Sequence, residues 1–175
     1  MEYKMPPQNI EAEQSVIGSI LLDNQTLVVA KSIISSDDFY QNRHKIIFNH
    51  MVEMDGKGES IDLVTLTNSM RTCNELAKIG GATYLSYIVN NVPTSVNIKA
   101  HSRIVKEKAT ERFLQNNISE WLTKVGETPM DELCQKVQSA ILKIQMADKA
   151  TDMVRVGDLI PAFLDDLEAR QDGKV

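Results

Sequence analysis

A basic excess is the first thing this 175-residue chain lacks: it carries 19 Lys and Arg against 24 Asp and Glu, a net charge of −5 and an isoelectric point near 5.2. A domain built chiefly to grip nucleic acid shows the opposite balance, so direct DNA binding is not expected as its main task. Aromatic residues make up only 5%. The core must therefore come from Leu, Ile, Val, Ala and Met, as in many helix bundles. The two cysteines, Cys73 and Cys134, stand in no C-x-x-C pattern and beside no histidine cluster; free, reduced thiols are the simple reading. Long apolar runs are missing too. A stretch such as Ile17–Leu22 is short and broken by Gly18 and Ser19, far from membrane-spanning length. The opening MEYKMPPQN has no basic segment leading into an apolar one, so it does not read as a signal peptide and a cytoplasmic location is expected.

Catalytic motifs are equally scarce. Phosphate loops need glycines spaced ahead of a helix so that backbone donors reach the anion. Gly56-Lys57-Gly58 and Gly80-Gly81 fit neither G-x-x-x-x-G-K-[ST] nor G-x-G-x-x-G and read as turns. His44 and His50 lie six apart, not at the i, i+4 spacing of a helical metal site, and His101 is remote in sequence. No G-x-S-x-G elbow occurs. The acid pairs Asp37-Asp38 and Asp165-Asp166 point about 100° apart on a helix, so they suit capping or solvation. No catalytic residue, metal ligand or cofactor-binding residue is assigned, and no cofactor is expected in this chain.

What is present is helical periodicity. Residues 1–9, with Pro6 and Pro7, read as an extended arm. Asn9 is a plausible N-cap, with Glu11 and Glu13 suiting the first turn. Ala12, Val16, Ile17, Ile20 and Leu21 then mark one helical face. A second helix spans about 25–34. Ser35–Asp38 forms a turn and capping signal. A third helix spans about 42–54, with Ile46, Ile47, His50, Met51 and Met54 inward. A fourth opens at Asp62, with Leu63, Leu66 and Met70 inward, and a fifth covers about 82–90 with Tyr84, Leu85, Ile88 and Val89. From Val96 to Val125 no Pro or Gly interrupts, which predicts one helix on the order of 45 Å long. Gly126–Pro129 is a tight connection, with Pro129 suited to a first helical position. The next helix, about 130–147, carries Leu133, Val137, Ala140, Ile141, Ile144 and Ala147 as a stripe. The expected fold is all-α: a small helical head (1–95), a long antiparallel helical hairpin (96–147) and a linker with a C-terminal helix (148–175). That final helix, about 156–171, has an apolar side and little chain left to cover it.

Two features leave a choice open. Lys99, Arg103, Lys106, Lys108 and Arg112, against Glu107 and Glu111, form a local basic excess. It suits a phosphate backbone, an acidic protein partner, or a plain solvated face with i, i+4 pairs such as Arg103–Glu107. Trp121, beside Ile118, Leu122 and Val125, suits either packing on the partner helix or anchoring an interface. A long thin hairpin cannot bury both outer faces by itself.

Five ordered blocks then carry a resemblance. PPQNIEAEQSVIGSILLD, DDFYQNRHKIIFNHM, SIDLVTL, GGATYLSYI and VPTSVNIKAHSRIVKEKATERFL, over residues 6–114, resemble the N-terminal part of the DnaB-type replicative DNA helicases. Residues 115–175 agree in layout more than in letters. The resemblance implies a helical head and hairpin whose hairpins pair between subunits and close into a collar on a hexamer. It implies a last helix that docks on a neighbour's RecA-like motor domain. That domain, with its ATP and Mg, is not in this chain, so no ATP-binding or helicase activity is expected of the chain itself. It also implies primase as a partner and, in many members, a helicase loader, with DNA met mainly through the motor. Ser19 and His101-Ser102 stand where many relatives have a small residue and Tyr-Ala, and are expected to shift packing or partner contacts. The resemblance places subunit contacts at Ile118, Trp121, Leu122, Leu133, Val137, Ile141 and Ile144. It places primase or loader contacts at Tyr84, Tyr87, Arg112 and Asn116, and linker docking at Leu159, Ile160, Phe163, Leu164 and Leu167. Each has an intramolecular core role as its alternative. Two rival readings remain: a stand-alone collar-like regulator of a helicase, and a small helical nucleic-acid binder using Lys99–Arg112.

Overall fold

The computed structural model describes residues 5–92 and 97–152, with side chains up to residue 145 in the second stretch. The described residues are helical throughout apart from turns and one isolated bridge, Val125–Thr128. The order is α1 (Ile10–Leu22), α2 (Thr26–Ile33), a 3-10 turn (Ser36–Asp38), α3 (Asn42–Gly56), α4 (Leu63–Thr72), a second 3-10 turn (Leu76–Ile79), α5 (Gly81–Asn91), α6 (Ile98–Lys124) and α7 (Met130–Asp152). The linker helix expected at 156–171, with Leu159, Ile160, Phe163, Leu164 and Leu167, lies outside the described residues.

Each boundary has a local cause. Asn9 caps α1, its side-chain oxygen accepting from the Ala12 N–H at 3.0 Å. Asp62 caps α4 by accepting from the N–H groups of Val64 and Thr65, while the Thr65 hydroxyl accepts from the Asp62 N–H, a capping box. Ser35 and Asp38 close the same motif over the first 3-10 turn. Gly80 sits at φ +99° between the second 3-10 turn and α5, a backbone state that glycine adopts without a Cβ penalty.

The core of the head is aliphatic, as the aromatic shortage requires. α1 lies at its centre: Ala12, Val16, Ile17 and Ile20 are buried, and α1 packs against α3, α5 and α6. Ile47, Phe48, Met51 and Met54 of α3, Leu66 and Met70 of α4, and Leu85 and Ile88 of α5 complete it. The inward positions read from the pattern hold except at the margin, where Leu21, Ile46, Leu63, Tyr84 and Val89 are only partly buried. Gly18 marks a close approach. A Cβ there would stand 2.5 Å from the Val92 Cγ2 and 3.2 Å from the Ile88 Cγ2, so the last turn of α5 can come this near to α1 only because Gly18 has no side chain.

The chain divides into two compact units, residues 1–136 and 137–175, the division falling within α7. In the first unit α6 is one continuous helix of 27 residues, about 40 Å at the usual rise. It buries only Ile98, Ser102 and Val105, all in its first third. At the far end Gly126, at φ +89°, reverses the chain. Pro129 supplies the carbonyl that accepts from the Leu133 N–H and so stands one residue ahead of α7, not within its first turn. In the second unit α7 runs on to Asp152, five residues past the boundary expected at 147. Residues 148–152 contain no Gly or Pro to stop it.

Candidate assembly and docking surfaces

The C-terminal half of α6 exposes a run of apolar side chains, beside scattered ones in the head such as Leu22, Val28 and Val64. Ile118 is 48% exposed, Leu122 71% and Val125 58%. Their i, i+4, i+7 spacing places them on one face of the helix. Met130, just past the turn, is also exposed, and so are Ile141 and Leu142 farther along α7. Trp121, Val137 and Ile144 are half-buried, and Leu133 is buried. Of the seven positions expected to contact another subunit, Ile118, Leu122 and Ile141 are open, while Leu133 serves as core. Val125, Met130 and Leu142 were not singled out as contact residues. Their signal was available: Val125 continues the Ile118–Leu122 face by one more turn.

Charges bracket this face. Lys124 pairs with Glu120, and Lys136 pairs with Glu132 at 2.6 Å. The hydrogen bond from Lys124 holds the Glu120 carboxyl below the usual range, with Lys136 adding to it across the turn. Glu132 is lowered likewise, first by Lys136 and also by Lys124. The four groups thus alternate in sign over the end of α6 and the start of α7.

A second constellation lies in the head. Glu13 is buried. One of its oxygens accepts from the Tyr40 N–H at 2.6 Å; the other accepts from the Gln41 N–H at 3.3 Å and meets the His44 Nδ1 at 2.6 Å. Gln41 is the N-cap residue of α3 and brings no side-chain cap of its own. A carboxylate from α1 thus caps α3 from outside. It holds the two backbone N–H groups just ahead of α3 and suits the positive end of that helix dipole. The His44 Nε2 shares a hydrogen bond with the Tyr84 hydroxyl at 2.6 Å. Tyr84 in turn accepts from the Gln14 amide at 3.2 Å. Every member of this buried chain has a partner. Its outer end is aromatic: Tyr84 stacks on Tyr87, centroids 6.2 Å apart, and the Arg43 guanidinium lies 3.9 Å from the Tyr84 ring centre.

Tyr87 is 53% exposed and Asn116 is exposed, as a contact role requires. Tyr84 and Arg112, also expected as partner contacts, are half-buried and bond within the fold. Arg112 donates to the Pro7 carbonyl at 2.8 Å and to the Asp38 carbonyl. Lys106 reaches both Asp38 oxygens at 3.0 Å, and Lys108 pairs with Glu111 at 2.7 Å. Three of the five cations between Lys99 and Arg112 are therefore engaged within the chain, which leaves little of the basic stretch for a phosphate backbone.

Glu13 was missed as more than a first-turn acid. It stands three, four and seven residues before Val16, Ile17 and Ile20, so an acid on an otherwise apolar face was visible in the pattern. His44 sits the same way ahead of Ile47, Phe48 and Met51. His50, also buried, meets Glu75 at 2.8 Å, and Glu75 meets Lys78 at 3.0 Å. Among the described residues, no three His, Cys, Asp or Glu side chains gather as metal ligands, and no helix is long and apolar enough to cross a membrane.

The family model described as the DnaB-like helicase N terminal domain matches residues 5–107. The replicative DNA helicase DnaC of Bacillus subtilis is 34% identical over 168 residues, covering 94% of this chain and 37% of its own length. The chain spans about two fifths of the length of the curated relatives that it matches. Among solved structures, the N-terminal domain of DnaB helicase from Mycobacterium tuberculosis aligns with a TM-score of 0.73 at 31% identity, covering 79% of this chain and 99% of that one. A DnaB-like replicative helicase, described together with its interactions with primase, shares the fold at a TM-score of 0.72 and 23% identity, covering 92% of this chain and 36% of that one.

Proposed function

This chain belongs to the DnaB-like helicase N-terminal domain family, and on that basis we propose that it forms the collar of a cytoplasmic hexameric replicative helicase. The exposed apolar face of α6 carries the proposal. Ile118, Leu122, Val125 and the neighbouring Met130 are large apolar side chains roughly half exposed or more. Burying them in a two-fold contact, where each chain offers the same patch, gives on the order of 1 kcal/mol each and about 8 kcal/mol for the pair of chains. The freedom lost on association is about 4–15 kcal/mol. The two are similar in size, so self-association of this segment depends on concentration.

The other roles follow the family. Ile118, Trp121, Leu122, Val137, Ile141 and Ile144 are our subunit-contact residues, with Leu133 supporting them from within. Tyr87 and Asn116 are our exposed candidates for contact with primase and a helicase loader, with Tyr84 and Arg112 holding the surface in place. Leu159, Ile160, Phe163, Leu164 and Leu167 are, on sequence, our candidates for docking on a neighbour's motor domain. ATP, Mg and most contact with DNA belong in this reading to that motor, outside the present chain.

Light scattering from one to a hundred micromolar tests the assembly role. The chain is expected to associate, and Ile118→Asp with Leu122→Asp to abolish association with helicity unchanged. A chain that stays strictly monomeric over that range and does not bind its cognate primase would overturn the proposal.

A further inference from the structure

The last buried residue of α6 is Val105, and beyond it come the two cations that tie this helix to the head. Asp38 is the hub. Its carboxylate accepts from the Ser35 N–H at 2.7 Å and from Lys106 at 3.0 Å on both oxygens, while its carbonyl accepts from Arg112. The same Arg112 holds the arm through the Pro7 carbonyl and lies 5.6 Å from the Tyr40 ring centre. Glu13 grips residues 40 and 41 from the other side. The segment 38–41 is thus fastened from both α1 and α6. Past Arg112, Phe113 and Leu114 are half-buried, Gln115 and Asn116 are exposed, and no residue of α6 beyond Val105 joins the core.

We infer that Asp38, Lys106 and Arg112 are positioning residues that set the direction in which α6 leaves the head. Lever geometry makes the case. Apolar anchoring alone, from Ile98 to Val105, gives a baseline of roughly 10 Å; adding Arg112 extends it to roughly 20 Å. For the same play at each anchor, the angular freedom halves. From Arg112 to Lys124 the helix overhangs by roughly 18 Å, and that overhang bears Ile118 and Leu122. Apolar contacts slide with little penalty, whereas hydrogen bonds weaken steeply with misalignment. A cation reaching both oxygens of one carboxylate, beside a planar fork bridging two carbonyls from different segments, therefore resists rocking. The consequence for ring assembly rests on the collar reading; the clamp itself does not.

The test is an interdye distance within single chains, at dilutions where no association occurs. One dye sits on the exposed Cys73 and one on Glu127→Cys at the hairpin turn, in a Cys134→Ser background. The unaltered clamp is expected to give a narrow distribution. Lys106→Gln with Arg112→Gln should widen it about twofold, as the halved baseline requires, and speed amide exchange at residues 40 and 41 while leaving α4 unchanged. Lys106→Arg should keep it narrow. Should the double variant fail to fold, Lys106→Gln alone and removal of residues 1–8 carry the test, each expected to widen the distribution. Unchanged width in the folded variants overturns the inference. Light scattering reads the collar role separately, so widening in a chain that never self-associates would leave the clamp standing and the assembly reading lost.

Discussion

At the scale of single residues, the head shows two opposite treatments of buried polarity. Glu13 and His44 are enclosed with every polar atom matched, so removing one partner strands the others. Glu13→Ala is expected to lower unfolding stability by about 3–5 kcal/mol, read from urea denaturation. Ser19, Ser102 and His101 show the reverse: the hydroxyls of Ser19 and Ser102 and the Nδ1 of His101 are buried without a partner among the described residues. An unmatched buried hydroxyl weakens the fold by about 1–3 kcal/mol. Ser102→Ala is therefore expected to raise stability by about 1 kcal/mol, and a fall in denaturation midpoint would refute that account. Gly18→Ala should do the opposite, lowering stability by about 1–3 kcal/mol as the new methyl displaces Val92.

At the scale of elements, capping decides where helices begin. Asp62 caps α4 at the surface, and the N–H of Thr65 is the main reason its carboxyl lies below the usual value of 3.8. The folded state favours the ionised form, so this contribution is complete above the ordinary carboxylate range and disappears as pH falls through the lower folded value. Asp62→Ala should cost about 1 kcal/mol near neutrality. Asp62→Asn keeps a good cap and should remove this part of the acid-induced loss, as denaturation midpoints between pH 6 and pH 2 would show. Elements of this kind were legible in the sequence because their signals are local. Asn9, Asp62, Gly80 and the apolar face of α1 each report on themselves. The 3-10 turn at Leu76–Ile79 was missed because four residues carry too little periodicity. The end of α7 was misplaced because no breaker marks it. The Glu13–His44–Tyr84 chain was legible only in part: its acid and histidine stand out on apolar faces, but their pairing spans α1, α3 and α5 and has no local trace.

At the scale of the whole molecule, candidate surfaces were harder to read than candidate core. Periodicity told which face of α6 and α7 is apolar but not which part of it the chain covers for itself. That depends on partners from distant segments, and it sorts Leu133 inward and Leu122 outward. The cations of α6 were the least legible of all. Charge counting groups Lys106 and Arg112 with Lys99 and Arg103, whereas position gives them to Asp38 and Pro7. Binding to DNA, if measured, should accordingly show a weak dependence on salt, with few phosphate contacts in its slope.

The tie between Pro7 and Arg112 also has a bearing on how the protein is made. The two residues are 105 positions apart. At ribosomal speeds of about 5–20 residues per second, roughly 5–20 s pass between their syntheses. For most of that interval α1 is present without α6, so the part of its surface that α6 covers waits for that helix. Among the described helices α1 is made first, and its packing is complete only once α6 has emerged.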